Sequence, residues 1–323
     1  MMQVNDLDNL IFSLNATIPI FLMMVIGFFL KTIGLIDDEF ASKINRFVFV
    51  VTLPVMLFRQ LGSTDFASAW DGRFVLFCFV ITTITILLVF ILSRFIKNIP
   101  ERGEFIQAAY RSSAAILGIA YMQNIYGDAS MAPLMIIGSV PLYNIIAVVV
   151  LTLTAEGIDY QSVDRQALTK KTIKSILTNP ILLGIIFGIL WSLSGLTIPA
   201  VADKALKDLG SVSTPLGLIA MGASIDLKKI GGVMKNSLIA VFIKLMGLCI
   251  LFLPLAAYLG FRGAHMIAIL IMLGSPTTVS CYIMAKNMGH EGVLTSNCVM
   301  LATILSAFTL TLWIFILKSF GLL

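Results

Sequence analysis

Long apolar runs separated by short polar connections make up almost the whole sequence. A helix needs about 20 predominantly apolar residues to cross the hydrocarbon core of a bilayer. The pattern therefore predicts an all-α membrane protein with ten transmembrane helices, called spans 1 to 10 below. Their approximate ranges are 10–31, 42–62, 74–95, 105–126, 131–154, 176–194, 201–224, 237–259, 265–287 and 293–317. Spans 2 and 7 begin amphipathically, with Lys43 and Lys204 in their first turns, and both end in long apolar stretches.

Composition supports the membrane class and excludes several others. Hydrophobic residues are 59% of the chain and charged residues 12%, with a mean hydropathy of +1.00. These values lie far outside the soluble globular range, so the lipid bilayer is an expected partner. The net charge of +5 comes from Lys and Arg residues scattered singly between apolar runs, which does not favour nucleic-acid binding. The four cysteines lie in apolar segments without metal-ligand spacing to His265 or His290, so neither a metal nor another cofactor is expected.

The basic residues also predict how the chain is oriented. Short cytoplasmic loops carry an excess of Lys and Arg. Most such residues in the connections, including Lys31, Arg94 and Lys170, fall on one side if both termini lie outside the cell. We therefore expect a multi-pass protein of the inner or plasma membrane. Its first repeat covers residues 1–155, a cytoplasmic linker 156–175, and a second repeat 176–323.

The two halves of the chain share prolines and glycines at a constant offset of 161 positions. Pro19, Gly27, Gly34 and Pro54 recur as Pro180, Gly188, Gly195 and Pro215. Each half contains five predicted spans, an odd number, so the second half runs through the membrane in the opposite sense. The sequence thus predicts a 5+5 inverted repeat, which is typical of secondary transporters that work by alternating access.

Spans 4 and 9 occupy equivalent places in the two halves, and both are interrupted. Span 9 contains the polar run Gly274-Ser-Pro-Thr-Thr278, and span 4 contains small residues from Ser112 to Gly118. Irregular backbone at membrane depth must be satisfied by protein or line a wet cavity. Broken helices from the two halves of such a transporter meet near the midplane around the substrate site. We therefore expect non-helical backbone near Ala114 to Gly118 and Gly274 to Thr278, with the two segments crossing.

Four stretches resemble signatures of the auxin efflux carrier family, whose bacterial members include malate and malonate permeases. They are "LPVMLFRQL" from Leu53, "NPILLGIIFGILWSLSGLTIP" from Asn179, "TPLGLIAMGASI" from Thr214 and "SPTTVSCYIMAKNMG" from Ser275. The resemblance covers essentially the whole chain. It implies a bile-acid-symporter-like or NhaA-like architecture, with a scaffold of spans 1, 2, 6 and 7 that is often dimeric. A mobile elevator-type transport unit would consist of spans 3–5 and 8–10.

The same resemblance implies that a small organic anion binds where spans 4 and 9 cross. The candidate substrate-binding residues are Ser113, Ala114, Ala115 and Gly118 on span 4, Ser275, Pro276, Thr277 and Thr278 on span 9, and the cations Arg111 and Lys244. Family members commonly read Arg-x-Asn before the crossing, whereas this chain has Ser at position 113. A serine can still hydrogen-bond a carboxylate, with less reach than Asn. Arg111 has an alternative role as a residue snorkelling to headgroups, whereas Lys244 lies deep enough to need a cavity or a partner.

Acidic residues lie only in connections or near span ends in the predicted arrangement, with Glu104 and Asp226 nearest the membrane. A proton relay or sodium site built on a deep carboxylate therefore has no candidate. Facilitated diffusion of the anion is the leading expectation. Sodium held by carbonyls and hydroxyls, or a proton carried on the substrate's own carboxyl, remain alternatives.

Three other functions are an intramembrane enzyme, a channel and a sodium-coupled symporter, and each would need different residues or show a different kind of flux. The Gly222-Ala-Ser224 run resembles a membrane serine protease motif, but the two histidines sit at opposite ends of span 9, away from a catalytic pairing, so no enzyme is expected. A channel would tolerate similar polar helices, and counter-stimulated flux would distinguish a carrier from it. A sodium-coupled organic anion symporter of the bile-acid-symporter type is the alternative with the same architecture.

Overall fold

The computed structural model describes residues 18–19, 22–63, 71–114, 122, 131–157, 170, 173–174, 176–224 and 227–323. Every regular element in these ranges is a helix. In chain order the helices are Leu22–Thr32 in span 1; Asp38–Phe47, a π-helical turn Val48–Thr52 and Leu53–Gly62 in span 2; Gly72–Leu92 in span 3; Ile99–Tyr110 in span 4; Met131–Thr154 in span 5; Pro180–Leu193 in span 6; Ala200–Ser211 and Ser213–Ala223 in span 7; Leu227–Phe242, a π-helical turn Ile243–Gly247 and Leu248–Tyr258 in span 8; Ala264–Gly274 and Val279–Asn287 in span 9; and Val293–Ser319 in span 10.

Six helical stretches of the described chain are long and apolar enough to cross a membrane. They are Asp38–Gly62, Gly72–Phe95, Met131–Thr154, Gly231–Tyr258, Ala264–Asn287 and Val293–Ser319. Large apolar side chains such as Phe29, Leu87 and Phe308 point outward, as lipid-facing residues do. The all-helical membrane class predicted from the sequence is confirmed.

The helix of span 4 begins at Ile99, six residues before its predicted start. The Asn98 side chain accepts a hydrogen bond from the Glu101 backbone N–H at 3.2 Å, and Pro100 occupies the first turn. Both features favour a helix start, because a proline there removes only an N–H that has no helical partner. This earlier start places Glu104 inside the helix, where it is 4% exposed.

Spans 1, 2, 6 and 7 pack against one another through glycines. A methyl group added at Gly27 would collide with the backbone of Ile219, and one at Gly188 with the backbone of Phe58. Gly184 meets the backbone of Pro54 in the same way. Small residues let two membrane helices approach closely, so Gly184 and Gly188 form a packing face of span 6.

Spans 3 to 5 pack on one another and on spans 8 to 10, and span 10 runs beside span 8. The Trp313 indole of span 10 donates to the carbonyl of Leu245 at 3.0 Å. Leu245 belongs to the π-helical turn of span 8, where the helical hydrogen-bond pattern is altered. The tryptophan thus satisfies a carbonyl at this irregular turn.

The two sets of helices meet along Val279–Asn287, the second half of span 9. This helix packs on Ser213–Ala223 of span 7, where Ile283 lies against Gly217. The Asn45 side chain of span 2 also donates to the Tyr282 hydroxyl at 3.4 Å. The contact between the two sets of helices therefore has an apolar part, at Ile283 and Gly217, and a polar part, at Asn45 and Tyr282.

Candidate functional site at the crossing of spans 4 and 9

Span 9 is interrupted at the place predicted from its Ser-Pro-Thr-Thr run. Its first helix ends at Gly274, Ser275 and Thr278 have extended backbones with ψ of 157° and 144°, and the second helix starts at Val279. Pro276 lacks the N–H that would continue the helix, and its ring clashes with the preceding turn. The break predicted in span 9 is confirmed.

Span 4 breaks earlier than predicted. Its helix ends at Tyr110, and Arg111 is extended, with φ −77° and ψ 133°. The backbone is non-helical from Arg111 to Ser113, and Ala114, where the sequence predicts the break to begin, is helical. The expected residues Ala115 and Gly118 lie outside the described part of the chain. Neither proline nor glycine occupies positions 111–113, so contacts with span 9 must favour the break there.

The two interrupted segments cross in direct contact and exchange hydrogen bonds. The backbone N–H of Ser113 donates to the carbonyl of Pro276 at 2.9 Å. The Thr277 hydroxyl donates to the carbonyl of Ala108 at 2.8 Å, and the Ser112 hydroxyl donates to the carbonyl of Met272. Both of these carbonyls have lost the helical donor four residues later. Each broken helix thus supplies a hydroxyl to a carbonyl that the other break has freed.

Lys244 binds the carbonyl end of the first half of span 9. The residue is fully buried in the π-helical turn of span 8, and its amine donates to the carbonyls of Leu273 and, at 3.4 Å, Met272. The carbonyl end of a helix carries partial negative charge, so a cation there is favoured. The partner expected for a deep lysine is therefore this helix end.

Arg111 is the second buried cation at the crossing. It is 2% exposed, which contradicts the alternative that it snorkels to headgroups. Its guanidinium donates to the Asn144 side chain at 2.8 Å, the Ser280 hydroxyl at 3.0 Å and the Gln107 side chain at 3.4 Å. It also lies 3.0 Å from the Met284 sulfur, and its buried Nε has no hydrogen-bond partner. Within the described residues, none of its partners is a carboxylate.

One hydroxyl of span 9 contacts Arg111. The Ser280 hydroxyl, which accepts from Arg111, also donates to the Thr278 hydroxyl at 3.3 Å. Thr278, Ser280 and Ser113 are half-buried, whereas the Ser275 hydroxyl is fully buried and has no hydrogen-bond partner among the described residues. The structure therefore brings together most of the predicted residues that it describes. Thr277 differs from them because its hydroxyl is already bound to Ala108.

Three partners of Arg111 were not predicted from the sequence: Gln107, Asn144 and Ser280. Ser280 had a detectable signal, since it follows the polar run of span 9 by two residues. Asn144 is a single amide in the long apolar span 5, and only the fold shows which group it faces. Polar side chains within a span usually face the bundle interior, so such an amide was a candidate on that ground alone.

Glu104 is a buried carboxylate that lies one residue before the predicted start of span 4. Glu104 accepts hydrogen bonds from the backbone N–H groups of Gly292 and Thr295, at 2.8 Å and 2.9 Å, and from the Thr295 hydroxyl. These groups form the start of span 10, where a negative charge is stabilised. The placement of all acidic residues near span ends is therefore corrected: Glu104 lies inside span 4, where it caps span 10.

A cavity of about 240 Å³ opens where spans 2, 5, 6 and 9 meet. Its described lining residues include Phe49, Thr152, Asn179 and Asn287, and none of the described ones is charged. The cavity lies at the ends of spans 5, 6 and 9 that the basic residues predict to be cytoplasmic.

Comparison with known proteins agrees with this architecture. The family model described as membrane transport protein, which represents the auxin efflux carriers, matches residues 12–314. The chain belongs to the auxin efflux carrier family. It is also similar to an uncharacterized transporter of Methanothermobacter thermautotrophicus, with 21% identity over 307 residues that cover 93% of this chain and 97% of the relative. As a member of a transporter family, the chain is a multi-pass membrane transport protein and not an enzyme.

Proposed function

We propose that this auxin efflux carrier family member is a secondary transporter that moves small organic anions, carboxylates such as malate or malonate, by alternating access. The observation that carries the proposal is Arg111, a buried guanidinium at the crossing whose described partners are all neutral. A buried charge is costly unless it is paired. An anion at the crossing supplies the missing negative charge.

The inverted repeat supports an alternating-access mechanism. The contact between Gly27 and Ile219 and the contact between Gly188 and Phe58 become equivalent when either half is shifted by 161 positions. A pair of equivalent contacts is what a two-fold relation between the halves produces. In this proposal spans 1, 2, 6 and 7 form the scaffold, which also makes a homodimer, and spans 3–5 and 8–10 move as an elevator. Both termini lie outside.

The crossing offers an anion several donors without needing a full countercharge. The helix Val279–Asn287 begins beside the break, and its N-terminus carries partial positive charge. Ser280 contacts Arg111 and donates to Thr278, Ser113 follows Arg111 by two residues, and all three of these residues are half-buried. The substrate carboxylate is held by these groups, and Ser275 donates its unpartnered hydroxyl as the site closes on the ligand.

A binding and flux assay tests this function. Malonate, malate and acetate are added to the purified protein with and without sodium, and the melting temperature is measured. A ligand at 100 times its dissociation constant stabilises a protein by about 2.7 kcal/mol. We expect at least one carboxylate to stabilise the protein without sodium, and to show counter-stimulated flux in proteoliposomes.

Variants at the crossing locate the site. Arg111→Gln is expected to abolish the ligand-induced rise in melting temperature, whereas Arg94→Gln, at an exposed arginine of span 3, keeps it. Ser113→Ala removes one donor to a charged group, which is worth about 1.5–3 kcal/mol, or roughly tenfold or more in affinity. Unchanged affinity in both crossing variants would place the anion elsewhere. A strict sodium requirement would favour the symporter, and flux without counter-stimulation would favour a channel.

A further inference from the structure

Lys244 has a hydrogen-bond pattern that fits a neutral amine as well as an ammonium ion. A neutral amine has two N–H donors, and the structure provides two acceptors, the carbonyls of Met272 and Leu273. An ammonium ion has three donors. The third donor exists only in the protonated form, and no described protein group accepts it.

In the part of the chain that the structure describes, no negative charge lies where it would hold Lys244 permanently protonated. The π-helical turn packs against spans 4, 9 and 10. The titratable groups within electrostatic reach of Lys244 are the thiols of Cys249 on span 8 and Cys281 on span 9. Cys281 also lies within electrostatic reach of Arg111, so the two cations belong to one region of the bundle.

The remaining titratable groups on the packed elements are engaged elsewhere. Span 10 contributes Cys298, whose thiol contacts the carbonyl of Ser237 at 3.7 Å. Span 4 contributes Tyr110, whose hydroxyl donates to the carbonyl of Tyr143 at 3.0 Å. Its two carboxylates are Glu104, which is bound to the start of span 10, and Glu101, which accepts a hydrogen bond from the Asn236 side chain. Among the described residues, no carboxylate pairs with Lys244.

The two buried cations differ in whether they can lose a proton. A guanidinium stays protonated in proteins, whereas a lysine amine loses its proton readily when it is desolvated. With the site empty, two like charges in one buried region repel each other, and the neutral amine lowers that cost. With an anion present, the ammonium is favoured, and its third N–H has an acceptor.

We propose that Lys244 is a proton-binding site linked to the anion site, so that each anion is carried together with one proton. On anion entry, the lone pair of the neutral amine forms an N–H bond to a proton donated by a hydronium ion of the solution, which becomes water; on anion release, this N–H bond breaks and the proton returns to a water molecule. Nothing is oxidised or reduced. The inference rests on the proposed function of the crossing as an anion site.

In this proposal the proton is carried by a lysine and not by a carboxylate. A carboxylate relay carries its proton as a neutral acid, whereas a buried lysine carries it as a cation beside an anionic cargo. The expectation of facilitated diffusion considered only acidic residues. Because linkage is reciprocal, the anion raises the affinity for a proton by the same factor that the proton raises the affinity for the anion.

Proton uptake upon binding tests the inference directly. Malonate, malate or acetate, adjusted to the same pH as the protein, is added to the weakly buffered purified protein with a pH-indicator dye. The pH is kept well above the carboxyl pKa values of the ligand. We expect the wild type to take up about one proton per bound anion, and its affinity to fall by up to tenfold per pH unit as pH rises.

Variants of the lysine assign the proton. Lys244→Arg keeps a permanent cation, so it is expected to bind the anion with no proton uptake and with an affinity that is independent of pH. Lys244→Met is expected to take up no proton and to bind weakly. Lys235→Met, at an exposed lysine on the same span, behaves as the wild type.

The outcomes separate this inference from the proposed function. If the wild type binds an anion without proton uptake, or if Lys244→Met still takes up a proton, the inference is wrong and the anion site stands. The wild-type result alone decides this if the arginine variant does not fold. If none of the three anions binds the wild type, the proposed function is wrong, and the inference with it.

Discussion

Spans 4 and 9 are both broken where they cross, but for different physical reasons. In span 9 the break is covalent in origin, since Pro276 cannot donate to the carbonyl of Met272. In span 4 the residues from Arg111 to Ser113 are all compatible with a helix, yet they are not helical. Their backbone and side chains bind span 9 instead. The break in span 4 therefore depends on the break in span 9.

The largest effect is expected from Pro276→Ala. The substitution restores an N–H that competes for the carbonyl of Met272, which now accepts from Ser112, Tyr143 and Lys244. The helix can then continue through the gap, and the acceptor for the Ser113 N–H is lost. We expect anion flux in proteoliposomes to fall to background, although no substrate contact of a side chain is deleted.

A proline that does not break its helix provides the matched control. Pro254 lies inside the helix Leu248–Tyr258 of span 8. Pro254→Ala is expected to keep substantial flux at matched expression. Wild-type flux in Pro276→Ala would show that the break in span 9 is not required, and the explanation of the break in span 4 would fail with it.

The exchanged hydroxyl bonds provide a second, smaller test of the dependence. The carbonyl of Ala108 receives its described side-chain bond from Thr277 alone, whereas the carbonyl of Met272 has three donors. Thr277→Val leaves a buried carbonyl unsatisfied, which costs about 1–3 kcal/mol. Ser112→Ala leaves two donors in place, so it is expected to cost less. Melting temperatures of the two variants without ligand measure the order, and a greater loss in Ser112→Ala would contradict it.

The same difference explains which parts of the crossing were predictable. The break in span 9 follows from one proline, so the sequence located it. The break in span 4 is determined by partners that come from a segment more than 150 residues away, and no local rule places it. The earlier start of span 4 was predictable in principle, because Asn98 and Pro100 form a standard helix start. Hydrophobicity alone places the boundary later, because the first turns of this helix contain charged residues.

The two buried cations were predictable to different extents. The long apolar runs predict that Arg111 and Lys244 lie in spans, and the cost of a buried charge predicts that Lys244 needs a cavity or a partner, whereas for Arg111 the sequence leaves substrate contact and snorkelling open. The identity of the partners could not be predicted, since Asn144, Ser280 and the carbonyls of Met272 and Leu273 approach only in the folded bundle. The contacts of Gly184 and Gly188, by contrast, involve small residues four positions apart, a spacing that the sequence shows directly.

The smallest effect on flux is expected from a substitution at the start of span 3, where Asp71 meets His265 at the start of span 9, away from the crossing. The Asp71 carboxylate accepts from the backbone N–H of Phe74 at 3.0 Å and lies 3.1 Å from the His265 ring. The Phe74 hydrogen bond, together with His265, holds the pKa of Asp71 below its usual value. A lowered carboxyl pKa stabilises the fold above the unfolded pKa of about 3.9, and the contribution is lost as pH falls through the lower folded pKa. Both side chains are about a third exposed, so the pair is worth about 1 kcal/mol or less.

Asp71→Asn therefore tests whether the crossing depends on contacts at the ends of its helices. We expect a slightly lower melting temperature at pH 7, a difference that disappears as pH falls below about 4 because the wild type then loses the same contribution. Flux at pH 7 is expected to stay within about twofold of the wild type, since the change is one helix length from the break. Asp208→Asn, at an exposed carboxylate of span 7, is the control and is expected to show no such pH-dependent difference. A loss of flux as large as that of Pro276→Ala would show that the crossing is held by the whole length of span 9, and that the distinction between a covalent break and a contact-dependent break does not describe this site.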